Sequence, residues 1–397
     1  MEEKKAKDPY AELGVSSKKE GVHKATKNLD KGLYPGAFCQ IEPVPSVLPK
    51  RIQDKYAQVI HSDGVGTKSN VAYIAMKEGL GTDYLRRVPQ DALVMNTDDM
   101  ACVGITNDIY ISSHIARNAN RVDDEAIAEI IAGHKDFYDK MNSLGINLYN
   151  AGGETADVGS YTTTLGIDVT ATAIIEKRNI IDASNIAPGN YIVGLASDGM
   201  ANYEDRYNSG IRSNGLTLAI NALLSSDYRK YTETMDGTID SEKLFTGKYH
   251  IEDKVYNDST IADLILSPTR TYLPVLKDVL GREDIKVNGI IHCSGGGLTK
   301  SNNFGDGIAY IKDNLPSAPI IFDLIKEERN IEDEYMYQTF NMGIGMEIIV
   351  PTLDDADKVR SIANSYGISA GVIGQTAPSK TGNVVEINKG KTYVYKK

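Results

Sequence analysis

Residues 57–79 read AQVIHSDGVGTKSNVAYIAMKEG, and the reading of this stretch decides the fold class. Its first part, YAQVIHS from residue 56, is an apolar run of strand length. A glycine turn follows. KSNVAYIAMKEG then sets Val71, Ile74, Ala75 and Met76 at helical spacing and stops at Gly79, as a helix should. A strand that runs through glycines into a helix is a unit of an α/β protein. The turn fails the P-loop pattern G-x-x-x-x-G-K-[ST]. Thr67 separates Gly66 from Lys68, and no glycine opens the loop five residues before Gly66. Asp63 precedes the glycines instead. An acid is out of place beside a bare amide nest for an anion. It suits a divalent cation held between the strand end and phosphates. The alternative is a plain connection whose glycines serve only the turn.

The chain has 397 residues, enough for about two domains. With 41% apolar and 24% charged residues it has the composition of a globular protein with ample core. A net charge of -11 argues against a nucleic-acid surface, though not against a local pocket for phosphates. Cys39, Cys102 and Cys293 are far apart and form no C-x-x-C pair, which disfavours a cysteine zinc site and fits a reducing compartment. The polar start MEEKKAKDPYAELG has no apolar leader core, and no run of 18 apolar residues occurs. A cytoplasmic protein without membrane or nucleic-acid partners is the expectation.

Residues 1–35 read as a loosely ordered arm, and LYPGAFCQIEPVPSVLPK (33–50) as irregular. A first α/β domain is expected over 36–178 and a second over 179–397. DALVMNTDDMACVGI (91–105) mixes an apolar run with two adjacent acids. DDEAIAEIIAGHKDFYDKMNSLG (123–145) is the clearest helix, with Ile127, Ile130, Ile131, His134 and Tyr138 at helical spacing. His134 there reads as a helix-face residue. INLYNAGGETADV (146–158) reads as a strand entering a glycine turn, and TTTLGIDVTATAIIEK (162–177) as one long β-branched strand with both faces apolar enough to need cover. The second half repeats the mixed pattern: helices at 214–224, 271–281 and 354–367, strands at 287–292 and 345–352. Residues 225–262 are polar and poorly periodic, which suggests an insertion or mobile loop.

Glycine clusters follow apolar runs at SDGVGTK, NAGGETAD, SGIRSNG and HCSGGGLTK. Asp63, Asp108 in ITNDIY and Glu154 in GGETAD each stand at an apparent strand end, and three such carboxylates suit Mg²⁺ whose other positions go to phosphates and water. Singly, each reads equally as a cap or turn acid.

The ordered set SDGVGTK, TNDI, AGGETAD, IIEKRNIID, RSNG, SPTRTY, HCSGGG and FNMGIGM resembles the aminoimidazole ribonucleotide synthetase (phosphoribosylformylglycinamidine cyclo-ligase) family over roughly residues 34–377. That resemblance implies two mixed α/β (α+β) domains, a homodimer with N-terminal sheets joined across the interface, and a cleft where ATP with Mg²⁺ drives ring closure of formylglycinamidine ribonucleotide. Carried onto this sequence, it makes Asp63, Lys68 and Asp108 catalytic, with Asp63, Asp108 and Glu154 on Mg²⁺. Gly64, Gly66, Thr67, Lys68, Gly152 and Gly153 would hold ATP phosphates. Arg212, Ser213, Asn214 and Gly215, with Gly295, Gly296 and Gly297, would meet the substrate or its 5′-phosphate. Arg270 would bind phosphate or form a structural ion pair. The chain departs from the family pattern where Ile211 and Arg212 replace Pro and His, after an additional MANYEDRYN, and where YISSHIARN replaces V-Q-G-A-E-P. Two further readings stand beside the cyclo-ligase. One is another ATP-using relative of the selenophosphate synthetase, thiamine-phosphate kinase or hydrogenase-maturation type. The other is a non-catalytic nucleotide-binding relative.

Overall fold

Alternation explains the first sheet. Along β5 (Leu165–Glu176) every second side chain, from Leu165 to Ile175, is buried, while Asp168, Thr170, Thr172 and Ile174 face outward. The computed structural model, which describes residues 8–13, 25 and 29–397, sets β5 at the centre of five strands. Its neighbours are β1 (Ile41–Pro43), β2 (Tyr56–Gly64), β3 (Ile109–Arg117) and β4 (Leu148–Asp157), in the order β1-β2-β5-β3-β4. Only β3 and β4 run parallel. Helices α1 (Lys50–Lys55), α2 (Lys68–Lys77), α3 (Asp83–Arg87), α4 (Pro89–Ala101) and α5 (Asp124–Ser143) belong to this half. α4 lies against β2 and β5, and α5 against β4. α5 starts where Asp123 accepts the Ala126 N–H at 2.9 Å, and buries Ile127, Ile130, Phe137 and Met141. His134 is on that buried face. Its Nδ1 bonds the Ile130 carbonyl, and burial holds the imidazole below its ordinary pKa.

The second half centres on seven strands. They are β6 (Tyr191–Ala196), β11 (Gly289–His292), β12 (Ile308–Lys312), β13 (Ile344–Val350), β14 (Ala370–Pro378), β15 (Val384–Lys389) and β16 (Lys391–Lys396), in the order β11-β13-β6-β14-β12-β15-β16. All seven residues of β13 are buried, as in a strand covered on both faces. Two short pairs, β7 (Asp198–Gly199) with β8 (Asn208–Ser209) and β9 (Lys254–Tyr256) with β10 (Ser259–Thr260), edge this half. Its helices are α6 (Leu216–Leu223), α7 (Ile261–Ile265), α8 (Leu273–Leu280), α9 (Ile320–Arg329), α10 (Asp333–Thr339) and α11 (Leu353–Ser365).

Three sequence expectations change here. β4 does not turn at its glycines but continues through Gly152 and Gly153, with an irregularity in its pairing to β3. A Cβ on Gly153 would lie 2.1 Å from the Ser113 carbonyl oxygen, so glycine serves a close strand approach there. Residues 225–262 are packed rather than loose. Tyr231 donates to Glu78 and Tyr73 to Glu233, both at 2.7 Å, and Asn70 donates to the Thr234 carbonyl, which binds the segment across α2. Short 3₁₀ turns and irregular backbone with isolated buried anchors, Tyr228, Phe245 and Ile251, explain the missing periodicity. Most of the arm expected over 1–35 lies outside the described residues, but Tyr10 and Leu13 are buried in the core cluster that runs through both halves. No helix among the described residues is long and apolar enough to cross a membrane.

Candidate active-site cleft

α4 organises the junction of the two halves. Twelve of its thirteen residues are buried. Asp91, Asp98 and Asp99 fall at i, i+7 and i+8, one face of a helix, and each grips the second half. One oxygen of Asp91 accepts from Lys68 Nζ at 2.7 Å, Ser213 Oγ at 3.0 Å and Thr269 N at 3.1 Å, and also from the Thr269 hydroxyl. Asp98 accepts from Thr271 Oγ1 at 2.7 Å and Tyr272 N at 2.8 Å, and its burial pushes the carboxyl up to about 7. Asp99 Oδ1 meets His292 Nδ1 at 2.5 Å, and its other oxygen lies 3.4 Å from His61 Nε2. These two histidines hold Asp99 far below the usual carboxylate range although burial opposes the charge.

A continuous chain of polar contacts runs from there to the opening loop. His292 Nε2 accepts from the Arg212 guanidinium, so its proton sits on Nδ1, toward Asp99. Burial and the Arg212 charge push His292 down to about 4, which keeps it neutral. On the other side, Asn96 Nδ2 donates to the carbonyls of Ala92 and Asp63, so Asn96 Oδ1 must accept from His61 Nδ1, at 3.0 Å. With Asp99 at its other nitrogen, His61 donates twice. Burial works against its charge, but the Asp99 contact prevails and raises its pKa.

The loop 63–67 closes this chain at the surface. Asp63 is exposed at the end of β2, and its Oδ1 accepts the Gly64 N–H at 2.7 Å. Gly64 is favoured by packing, since a Cβ would lie 2.9 Å from the Ile167 carbonyl oxygen and displace the Asp168 carboxylate. Gly66 has φ +60° and open space around it, and Thr67 lies hydroxyl to hydroxyl with Thr217 at 3.3 Å. From the other half, Asn214 reaches Met95 Sδ at 3.6 Å, and Gly295 passes beside Asn214 Oδ1. Phe340 braces both glycine loops. A Cβ on Gly215 would strike its ring, and one on Gly297 its carbonyl, each at 2.3 Å. Gly295 is exposed, so this loop has an open edge.

The expected site is therefore partly assembled. Asp63, Gly64, Gly66, Thr67, Ser213, Asn214, Gly215, Gly295, Gly296 and Gly297 are brought to one junction between the halves. Lys68 is not at the loop's lip. It opens α2, which turns its side chain inward, where it is fully buried on Asp91 and the Ser267 carbonyl and burial lowers its pKa. Arg212, at φ +61°, is equally buried against His292 and Tyr272 rather than presented to a ligand. Arg270 is a structural ion pair, held by Glu204 of the additional segment and by the carbonyls of Ala196 and Asp198.

Asp108 and Glu154 do not converge with Asp63. Asp63 is in register with Val169, which pairs with Ser113, so Asp108 lies two strands across and five residues back along β3, roughly 19 Å away. β4 is the third strand from β2, which puts Glu154 and Gly153 roughly 14 Å off. Asp108 instead receives Asn147 and Tyr149, and Glu154 is in register with His114 on the edge strand. Among the described residues no three His, Cys, Asp or Glu side chains gather to hold one metal ion.

His61, Asp99 and His292 escaped the sequence reading. The adjacent acids of MNTDDMA were visible, and their i, i+7, i+8 relation to Asp91 was the available signal.

Two family models match most of the chain. The family model "AIR synthase related protein, N-terminal domain" matches residues 44–175, and its C-terminal counterpart matches 187–386. The phosphoribosylformylglycinamidine cyclo-ligase of Methanocaldococcus jannaschii is 34% identical over 339 residues, covering 85% of this chain and 81% of its own. That of Methanococcus vannielii is 33% identical over 323 residues, covering 81% and 78%. Among solved structures, a chain in a HypE–HypF complex shares the fold with TM-score 0.53 at 13% identity, over 96% of this chain and 100% of that one.

Proposed function

The chain belongs to the AIR synthase related family, and we propose that it is the ATP-dependent cyclo-ligase that converts formylglycinamidine ribonucleotide to aminoimidazole ribonucleotide in purine biosynthesis. The observation that carries the reading is that the loop 63–67, with its exposed acid, meets the second half at Thr217, beside Gly215, while Gly295 passes Asn214 in the same half. Glycine there lets backbone amides approach phosphate closely.

The chemistry fits such a cleft. The formamide oxygen of the substrate is a poor leaving group. Transfer of the ATP γ-phosphoryl group to it gives an iminophosphate and ADP. The amidine nitrogen then attacks that carbon, the imidazole ring closes, and phosphate departs with the former formamide oxygen. The protein's share is to position groups and stabilise phosphate charge. Gly64, Gly66, Thr67, Asn214, Gly215 and Gly295–Gly297 line the approach. Mg²⁺ typically binds through one or two carboxylates plus phosphates, and exposed Asp63 suits it here. When bound, the ion would neutralise phosphate charge. Asp108 and Glu154 are left out.

Cys39 tells against the selenophosphate reading, because burial and the nearby Asp99 push its thiol far up and away from thiolate. In the direct test, purified protein with formylglycinamidine ribonucleotide, ATP and Mg²⁺ forms aminoimidazole ribonucleotide with one ADP per ring closed. ADP release that ignores the ribonucleotide would refute the proposal.

A homodimer is part of the same proposal. The outward face of the first sheet exposes Ile60 (63%), Ile174 (58%), Tyr110 and Tyr149, and the two tyrosines stack at 4.7 Å. Register places Ile60 and Tyr110 on either side of Thr172, so the patch is contiguous across the sheet and suits a second sheet of the same kind. Sedimentation is expected to give a dimer at micromolar concentration, and Ile60→Lys with Ile174→Lys a folded monomer. A monomeric parent chain would refute it.

A further inference from the structure

Lys300 follows the third glycine loop and differs from every other lysine or arginine of the junction. Lys68 has Asp91, Arg270 has Glu204 and Lys312 has Glu347, while Arg212 is sealed against His292. Lys300 is half-buried and has no carboxylate partner among the described residues. Its contacts are Ser294 Oγ, 2.6 Å from Nζ, and the face of Phe38, with Nζ 4.5 Å from the ring centroid. Phe38 is itself fixed by stacking on Phe304, centroids 5.1 Å apart and rings within 10°. The ammonium is thus held in place by a hydroxyl and a ring, neither of which neutralises it. An ammonium carries three N–H donors, and these two contacts leave one unused. The stem of Lys300 lies along the glycine loop, since a Cβ on Gly296 would sit 3.6 Å from its Cβ. Its charge reaches the cleft, where it helps hold Asp99 ionised and His292 neutral.

We propose that Lys300 is a substrate-contacting residue of the cleft whose ammonium takes a phosphate oxygen, an inference that rests on the cyclo-ligase reading. An ammonium held partly out of water with no carboxylate in direct contact is a preformed seat for an anion, and both substrates bring phosphate: the ATP polyphosphate and the 5′-phosphate of the ribonucleotide. The two sources separate by kinetics. Lys300→Met keeps the stem and removes the charge, and should raise KM for the substrate whose phosphate it holds by about tenfold or more, leaving KM for the other within about twofold. Lys300→Arg should recover most of the loss. Lys300→Gln is the second neutral variant if Met does not fold.

Binding of inorganic phosphate, measured by calorimetry on the parent and neutral variants, needs no turnover. Phosphate binding by the parent that the neutral variants lose supports the seat even if ring closure is absent, in which case only the functional reading fails. A folded Lys300→Met protein with both KM values and phosphate binding unchanged overturns the proposal while the cyclo-ligase reading stands. A loss that follows a lowered melting temperature and is not restored by Arg overturns it as well.

Discussion

Asp91→Ala is expected to destabilise the protein by about 3–5 kcal/mol, as removal of one partner from a buried ion pair does. The cause is the number of groups that depend on one carboxylate oxygen. Lys68, Ser213 Oγ, Thr269 N and the Thr269 hydroxyl all donate to it, and Asp91 and Lys68 are both fully buried. Without Asp91 the Lys68 ammonium keeps only the Ser267 carbonyl, and burial already disfavours its charge. The donors on Ser213 and Thr269 would lose their acceptor inside the junction. Asp91→Leu combined with Lys68→Met removes both charges and should recover a large part of the loss, because the cost lies mainly in the stranded cation. Urea denaturation of the three proteins checks this. An Asp91→Ala protein within about 1 kcal/mol of the parent would mean that the halves do not depend on this contact.

The same helix shows why the sequence was only partly legible. The strand-turn-helix of residues 56–79 could be read because β2 and α2 each bury one face, which leaves a periodic trace. α5 could be read for the same reason. α4 is buried all round, so the acids of DALVMNTDDMA, although on one face, do not mark a solvent side as they would on a surface helix. Its acids find partners such as Thr269, Thr271 and His292, more than 170 residues away in sequence. Lys68 sits in a motif that points to phosphate, yet the first turn of α2 aims it inward, and nothing local announces that Asp91 waits there. Gly152 and Gly153 carry the composition of a turn, but the strand continues through them: Gly152 takes φ +95° at the irregularity in pairing, and β3 comes too close to Gly153 for a side chain. Asp108 matched a short motif in the right order along the chain, and only strand register shows that it stands far from the loop it was grouped with. The glycine loops were legible because a close neighbour or a positive φ restricts residue type at each position by itself, as Phe340 does at Gly215 and Gly297 and φ +60° does at Gly66.

The central claim is that chemistry happens at the junction beside Asp63 and not at the far end of β3. Ribonucleotide-dependent ADP release, measured side by side for Asp63→Asn and Asp108→Asn with thermal unfolding of each, tests it most directly. Asp63 is exposed, so Asn should leave the fold intact. Loss of its charge beside developing phosphate charge should lower turnover by roughly a hundredfold or more. Asp108 holds φ +55°, a conformation that Asn tolerates, and its contacts to Asn147 and Tyr149 serve the start of β4. Asp108→Asn should therefore turn over near the parent rate. A folded Asp63→Asn enzyme with parent activity, or a hundredfold loss confined to Asp108→Asn, would contradict the account.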